Sequence, residues 1–310
     1  MRIPAVRLLD STPAMIRAFA YRNVSLFLCV PNPLVPVFAL NRSVATHWVH
    51  SHVLPFYLYT KISIISVGND ALSDSPDVSP FLLRAMQNLR RSLKEIRIYK
   101  ISVSTTFSFS SIIPNAFPPS SARFQQPNGE VILRPILRFL EKTNSPFLIN
   151  LYPYIYKSTC SSTIGFALFD DSALSVTTDP STRVRYRSLF HVMYDALVMS
   201  LGAMGHGTLP IIISETGWPS SGNDAGDVDA TFLYSTMFLS SLNDHLKNPS
   251  VRKEGPLEVY IFEFVDNEQG VRRWGLLYQN LTAKYRRFSE KQVEAAVAIL
   301  KKAEDYCNDY

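Results

Sequence analysis

The sequence predicts an α/β fold of repeated parallel strand–helix units, on three observations. Short β-branched or apolar runs alternate with longer stretches of helical periodicity along most of the chain. Several of the strand-like runs are apolar throughout, as in strands whose sheet is covered by helices. The 310 residues, 46% hydrophobic and only 18% charged, can fill one large core or two ordinary ones and exclude a disordered chain. Strand, helix, strand repeated at this length predicts right-handed parallel crossovers. The architectures open to it are a doubly wound sheet or a (β/α)8 barrel lacking one unit.

Taken in order, the strand-like runs are Ala5–Leu9, Val24–Val30, Ile62–Val67, Ile98–Ser104, Pro146–Leu151, Pro210–Ser214 and Glu258–Phe264. Between them, helical patterns cover Pro13–Tyr21, Val44–Phe56, Pro80–Leu93, Leu133–Lys142, Arg183–Leu201 and Ala230–Leu246. In the fifth of these, Leu189, Met193, Leu197 and Leu201 recur every fourth residue along one face. No Gly-rich phosphate turn follows the first strand, which counts against a dinucleotide fold. A last amphipathic helix over Ser289–Tyr306 opens with a Ser289/Gln292 capping pair and stands apart from the alternation. The expected division is therefore one α/β domain over 1–288 and a helix with its tail over 289–310.

Composition removes several functions. The net charge of +5 comes from 31 basic and 26 acidic residues scattered along the chain, with basic residues in pairs rather than blocks, so no nucleic-acid partner is expected. The apolar run from Val24 to Leu40 is interrupted by Pro31, Pro33 and Pro36, and no transmembrane segment is expected. The three cysteines have neither a disulfide framework nor zinc-ligand spacing. His47, His50 and His52 lack a carboxylate at ligand spacing, so no metal site is expected there. Asp224, Asp227 and Asp229 lack the calcium-loop pattern and read as caps of the helix beginning near Ala230. The N-terminus shows no secretory signal, while Asn23, Asn41 and Asn280 head glycosylation sequons that hint mildly at secretion.

Parallel α/β folds place their chemistry at the C-terminal ends of strands. Two runs deliver a carboxylate there: Ile62–Val67 runs into Gly68-Asn69-Asp70, and Pro210–Ser214 into Glu215-Thr216-Gly217-Trp218-Pro219. Two carboxylates facing one cleft suit glycoside hydrolysis, and the indole of Trp218 is a candidate stacking platform for a sugar ring. Taken singly, each carboxylate reads more readily as a helix N-cap or a structural carboxylate.

These segments, with Asn150-Leu151-Tyr152-Pro153-Tyr154 and Trp274-Gly275-Leu276-Leu277-Tyr278, make the chain resemble the plant family 17 glycoside hydrolases, the β-1,3-glucan endohydrolases, over roughly residues 3 to 288. The resemblance implies a (β/α)8 TIM barrel in which this chain begins at what would be the second strand. It implies retaining hydrolysis of internal bonds in a callose-like β-1,3-glucan, with Glu215 as nucleophile and Asp70 as acid/base. It also implies substrate binding by Asn69, Tyr152, Tyr154, Trp218 and Glu268, no cofactor, a monomer, and secretion to the cell wall or apoplast.

Three departures accompany it. Asp70 stands where members carry Glu, Leu9 where they usually carry Tyr, and Asp266-Asn267-Glu268-Gln269-Gly270 where they carry Asn-Glu-Asn-Gln-Lys. The alternative reading is a catalytically weakened or inactive β-glucan-binding protein on the same fold.

Overall fold

The computed structural model describes residues 3–158, 163–170, 176–247, 256 and 258–285. The amphipathic helix expected over Ser289–Tyr306 lies outside the described residues. Seven strands form the main sheet: β1 (Ala5–Leu8), β2 (Ser25–Val30), β3 (Lys61–Asn69), β4 (Ser102–Ser108), β5 (Phe147–Asn150), β6 (Ile211–Thr216) and β7 (Glu258–Ile261). Their order in the sheet is their order in the chain, and the β1–β2, β2–β3, β3–β4 and β6–β7 pairings are parallel.

Helices fill the crossovers: α1 (Pro13–Ala18), α2 (Leu34–Leu40), α3 (Arg42–His52), α4 (Leu82–Glu95), α5 (Arg134–Thr143), α6 (Leu189–Ala203) and α7 (Phe232–Lys247). This is the alternation of the (β/α)8 barrel class, with seven of its strands among the described residues. None of these helices is long and apolar enough to cross a membrane.

The described residues fall into two compact units. One holds those up to Phe107 together with Glu130–Leu148; the other holds Ser108–Gly129 and those from Ile149 on. In the first, Leu26, Phe27, Leu28 and Val30 of β2 are fully buried, with Val35 and Phe38 of α2 and Leu82, Met86 and Leu89 of α4. Asn88 of α4 donates to the carbonyls of Phe38 (2.8 Å) and Ala39 (3.2 Å), satisfying the open C-terminal end of α2. In the second, Phe190, Trp218 and Phe238 are among the largest fully buried side chains.

Three elements differ from the sequence expectation for identifiable reasons. Helix α2 lies in a proline-broken run, but Pro33 is its N-cap and Pro36 sits in its first turn, where a missing N–H costs no helical bond. Strand β4 starts four residues later than expected, because Ile98 and Ile101 are buried ahead of the strand and not within it. Helix α6 starts at Leu189, where the Ser188 side chain accepts from His191 N–H; Arg185–Tyr186 instead pairs antiparallel with Thr177–Thr178.

Candidate functional site

In the first unit the site is built at the end of β3. The β3–β4 register shifts between Ser66 and Asn69, and Gly68 has φ +80°; a side chain there would also meet Asn32 Oδ1 at 2.9 Å. Past this bulge, Asn32 grips the backbone of Asn69 from both sides. Its Nδ2 donates to Asn69 O (2.9 Å), and its Oδ1 accepts from Asn69 N–H (2.9 Å).

Asn69 Oδ1 accepts from Arg7 Nη2 at 2.7 Å, so the amide presents its NH2 as donor. The guanidinium also reaches Thr106 Oγ1 (3.4 Å) and lies 4.9 Å from the Phe27 ring centroid. Asp70 N–H donates to Thr106 O (3.0 Å), and Asp70 adopts the left-handed conformation, φ 48° and ψ 32°, as it leads into the short helix Ala71–Asp74. Asp tolerates that region better than most residues.

In the second unit β6 carries Glu215, which is buried, 8% exposed. Tyr152, just beyond β5, donates its hydroxyl to Glu215 Oε2 at 2.7 Å, and Leu151 N–H donates to Glu215 O at 2.9 Å. The Tyr152 ring packs edge-on against Trp274 (5.2 Å) and Phe262 (6.2 Å). Gly217 is required here, since a Cβ would lie 2.4 Å from Phe262 O. A carboxylate oriented by a phenol inside an aromatic cage is equipped to act as a nucleophile or base at a fixed position.

A second polar layer supports this cage. Buried Asp227 accepts from Tyr154 Oη (2.7 Å) and Arg272 Nε (2.8 Å), and the guanidinium lies 5.5 Å from the Tyr154 ring centroid. Burial alone would raise the Asp227 carboxyl, but those hydrogen bonds and the Arg272 charge hold it below the ordinary carboxylate value. Burial, followed by the Asp227 partner, pushes the Tyr154 phenol well above its ordinary value. Lys157 pairs with Asp229, and the loop after β7 is tied down by Lys284, which donates to Asp266 Oδ1 at 2.6 Å; both of those side chains are almost fully buried.

The structure thus joins Glu215 to Tyr152, and places Asn69 and Asp70 consecutively on one clamped strand end. It corrects several expectations. Trp218 is 1% exposed; Tyr154 (5.0 Å) and Phe238 (5.6 Å) pack against its ring, and its Nε1 donates to Asp229 O, so it is a core residue and offers no face to a sugar. Tyr154 is likewise buried and is spent on Asp227 rather than on substrate.

Glu268 is exposed, and its backbone carbonyl accepts from Arg273 Nη2. Asp227 and Asp229 are ion-paired rather than capping α7, which has Thr231 Oγ1 accepting from Tyr234 N–H at its start. Arg7, Asn32 and Arg272 carry no local signal of their orienting roles in the sequence, because each lies distant in the chain from the residue it orients. Among the described residues no three His, Cys, Asp or Glu side chains gather as a metal-holding group.

Known proteins are similar to this chain in sequence and fold. The profile of the glycosyl hydrolases family 17 covers residues 1–287. Glucan endo-1,3-beta-glucosidase 4 of Arabidopsis thaliana is 31% identical over 296 residues, which is 92% of this chain and 58% of that protein. Glucan endo-1,3-beta-glucosidase 7 of the same plant is 35% identical over 295 residues, 91% of this chain and again 58% of the relative. The chain therefore spans under two thirds of the length of these curated relatives.

A solved β-1,3-glucanase and pollen allergen of Cryptomeria japonica superposes with a TM-score of 0.83 at 29% identity, covering 91% of this chain and 89% of its own. One of two solved plant β-glucan endohydrolases with distinct substrate specificities gives 0.82 at 26% identity, covering 91% and 90%.

Proposed function

Because the chain belongs to the glycosyl hydrolases of family 17, we propose that it hydrolyses internal β-1,3-glucosidic bonds of a callose-like β-glucan with net retention. The observation that carries this reading is the Tyr152 Oη to Glu215 Oε2 bond of 2.7 Å on a buried strand end. A Glu215 oxygen attacks the anomeric carbon while Asp70 gives its proton to the departing glycosidic oxygen, which breaks that bond and leaves a glycosyl-enzyme. Asp70 then takes a proton from water, whose oxygen attacks the same carbon and releases Glu215. The amide NH2 of Asn69, held by Arg7, serves the 2-hydroxyl of the reacting sugar. The protein acts without a cofactor, as a monomer, on glucan in the cell wall.

Asp70 favours a second reading. Its carboxyl is one methylene shorter than the Glu implied by the family resemblance, and a misplacement of about 1 Å can cost on the order of 100-fold in rate. A weakened hydrolase that still binds glucan would result.

Reducing-end release from laminarin, measured for the parent, Glu215→Gln and Asp70→Glu, separates the two. The hydrolase reading expects parent activity that disappears in Glu215→Gln. An inactive parent that still binds laminarin, with activity gained in Asp70→Glu, sinks it in favour of the binding protein.

A further inference from the structure

Glu263 lies where the aromatic cage around Tyr152 meets the loop after β7. Phe262, immediately before it, donates its N–H to Thr216 O (2.8 Å), one residue beyond Glu215. Glu263 N–H donates to Trp274 O (3.3 Å), and Glu263 O accepts from Leu276 N–H (2.9 Å), so its main chain is fixed on both sides. The residues on which it is mounted, Phe262 and Trp274, both pack their rings on Tyr152.

Its side chain is poorly provided for. Glu263 is partly buried, yet among the described residues its carboxyl receives one hydrogen bond, from Asn267 N–H at 3.3 Å. That is long for a carboxylate acceptor, which ordinarily sits at about 2.7–2.9 Å from a charged donor. The nearby cation Lys284 is already committed to Asp266 Oδ1 (2.6 Å) and Ser220 Oγ (2.9 Å). Burial, with the Asp266 charge adding to it, raises the Glu263 carboxyl above the ordinary value against the opposing pull of Asn267 N–H, the Lys284 charge and Trp274 N–H. A partly buried carboxylate held by one long bond from Asn267 N–H, next in the chain to a ring that packs on the phenol of the nucleophile, is a position at which a ligand's donors complete what the protein leaves weakly met.

We propose that Glu263 is a specificity-determining residue whose carboxylate oxygens accept hydrogen bonds from hydroxyls of a β-1,3-glucan bound beside Glu215. This rests on the β-glucan reading of the site. A carboxylate is an acceptor only, with two oxygens, and neighbouring sugar hydroxyls can supply both donors.

The test uses the full chain as parent, Glu263→Gln and Glu263→Ala, with laminarin as probe, reading KM and kcat by reducing-end release and the laminarin Kd by calorimetry. Glu263→Ala is expected to weaken KM and Kd on the order of 10-fold, as for loss of a hydrogen bond to a charged group. Glu263→Gln should have a smaller effect, and kcat should hold within about threefold. The melting temperature should stay level or rise in both variants, because the group removed costs stability.

Unchanged KM and Kd in an active parent's Glu263→Ala variant overturns this proposal alone. A melting temperature that falls together with kcat in both variants assigns Glu263 a structural role and overturns it too. Should the parent neither cleave nor bind laminarin, the glucan reading fails and this one with it.

Discussion

Lowering the pH from 7 to 5 should weaken the second unit through one histidine. His191, at the start of α6, and His245, on α7, have ring centroids 3.9 Å apart, with the rings of Phe169 and Phe190 against them. Burial first, and the neighbouring His245 second, push the His191 pKa down to about 3 from the ordinary 6.5. A histidine lowered on folding is held neutral in the native state, so below pH 6.5 the unfolded chain binds more protons. The stabilisation is complete above that value and is lost as the pH falls toward about 3.

At pH 5 the unfolded chain gains RT ln(1 + 10^1.5), about 2 kcal/mol, while the folded chain gains almost nothing. The variant to compare is His191→Gln, which keeps a polar partner for Ser188 Oγ, 3.0 Å from His191 Nδ1, and does not titrate. Denaturant unfolding at pH 7 and pH 5 should show the parent losing about 2 kcal/mol more than the variant between the two pH values. Equal losses in the two chains, within about 0.5 kcal/mol, would refute the account.

Tyr152→Phe deletes the hydroxyl that orients Glu215 and should lower kcat on laminarin about 10-fold with little change in melting temperature; an unaltered rate would show that the phenol does not serve the nucleophile. Gly217→Ala forces a methyl against the Phe262 carbonyl, a rigid backbone atom, and should cost at least about 2 kcal/mol in denaturant unfolding. Trp218→Phe should destabilise the fold by about 2 kcal/mol while leaving laminarin KM unchanged, since the indole is buried and bonded to Asp229 O. A KM that rises without any loss of stability would restore Trp218 to the sugar.

The strand ends were legible because a parallel sheet writes its chemistry into short local runs. Gly68-Asn69-Asp70 and Ser214-Glu215-Thr216-Gly217 are each an apolar strand that turns polar at its C-terminal end. Which face each side chain takes was not legible. Trp218 follows the nucleophile by three residues and reads as a sugar platform, but Tyr154 and Phe238 draw it into the core. The aspartates before α7 read as caps because capping is the local use of Asp; their partners Tyr154, Lys157 and Arg272 lie more than forty positions away. Helix α2 was hidden by three prolines that prove harmless where they fall, Pro31 ahead of the helix, Pro33 at its N-cap and Pro36 in its first turn. Glu263 lies between two phenylalanines near the end of a strand-like run and carries no local signature; only its partial burial and its long hydrogen bond single it out.

The almost fully buried Lys284–Asp266 pair bears on where this chain can be cut. Removing one member of a buried ion pair leaves the other charged and unpaired, at a cost of about 3–5 kcal/mol. Tyr285, next along, stacks on Phe232 at 5.5 Å and donates to Ser235 Oγ at 3.0 Å, both near the start of α7. These two residues close the second unit like a latch whose keeper is the loop after β7. A recombinant fragment or proteolytic core that stops short of Lys284 should therefore fail to hold that loop, and Glu263 and Asp266 with it, whereas one that ends just beyond Tyr285 retains every contact described for the nucleophile.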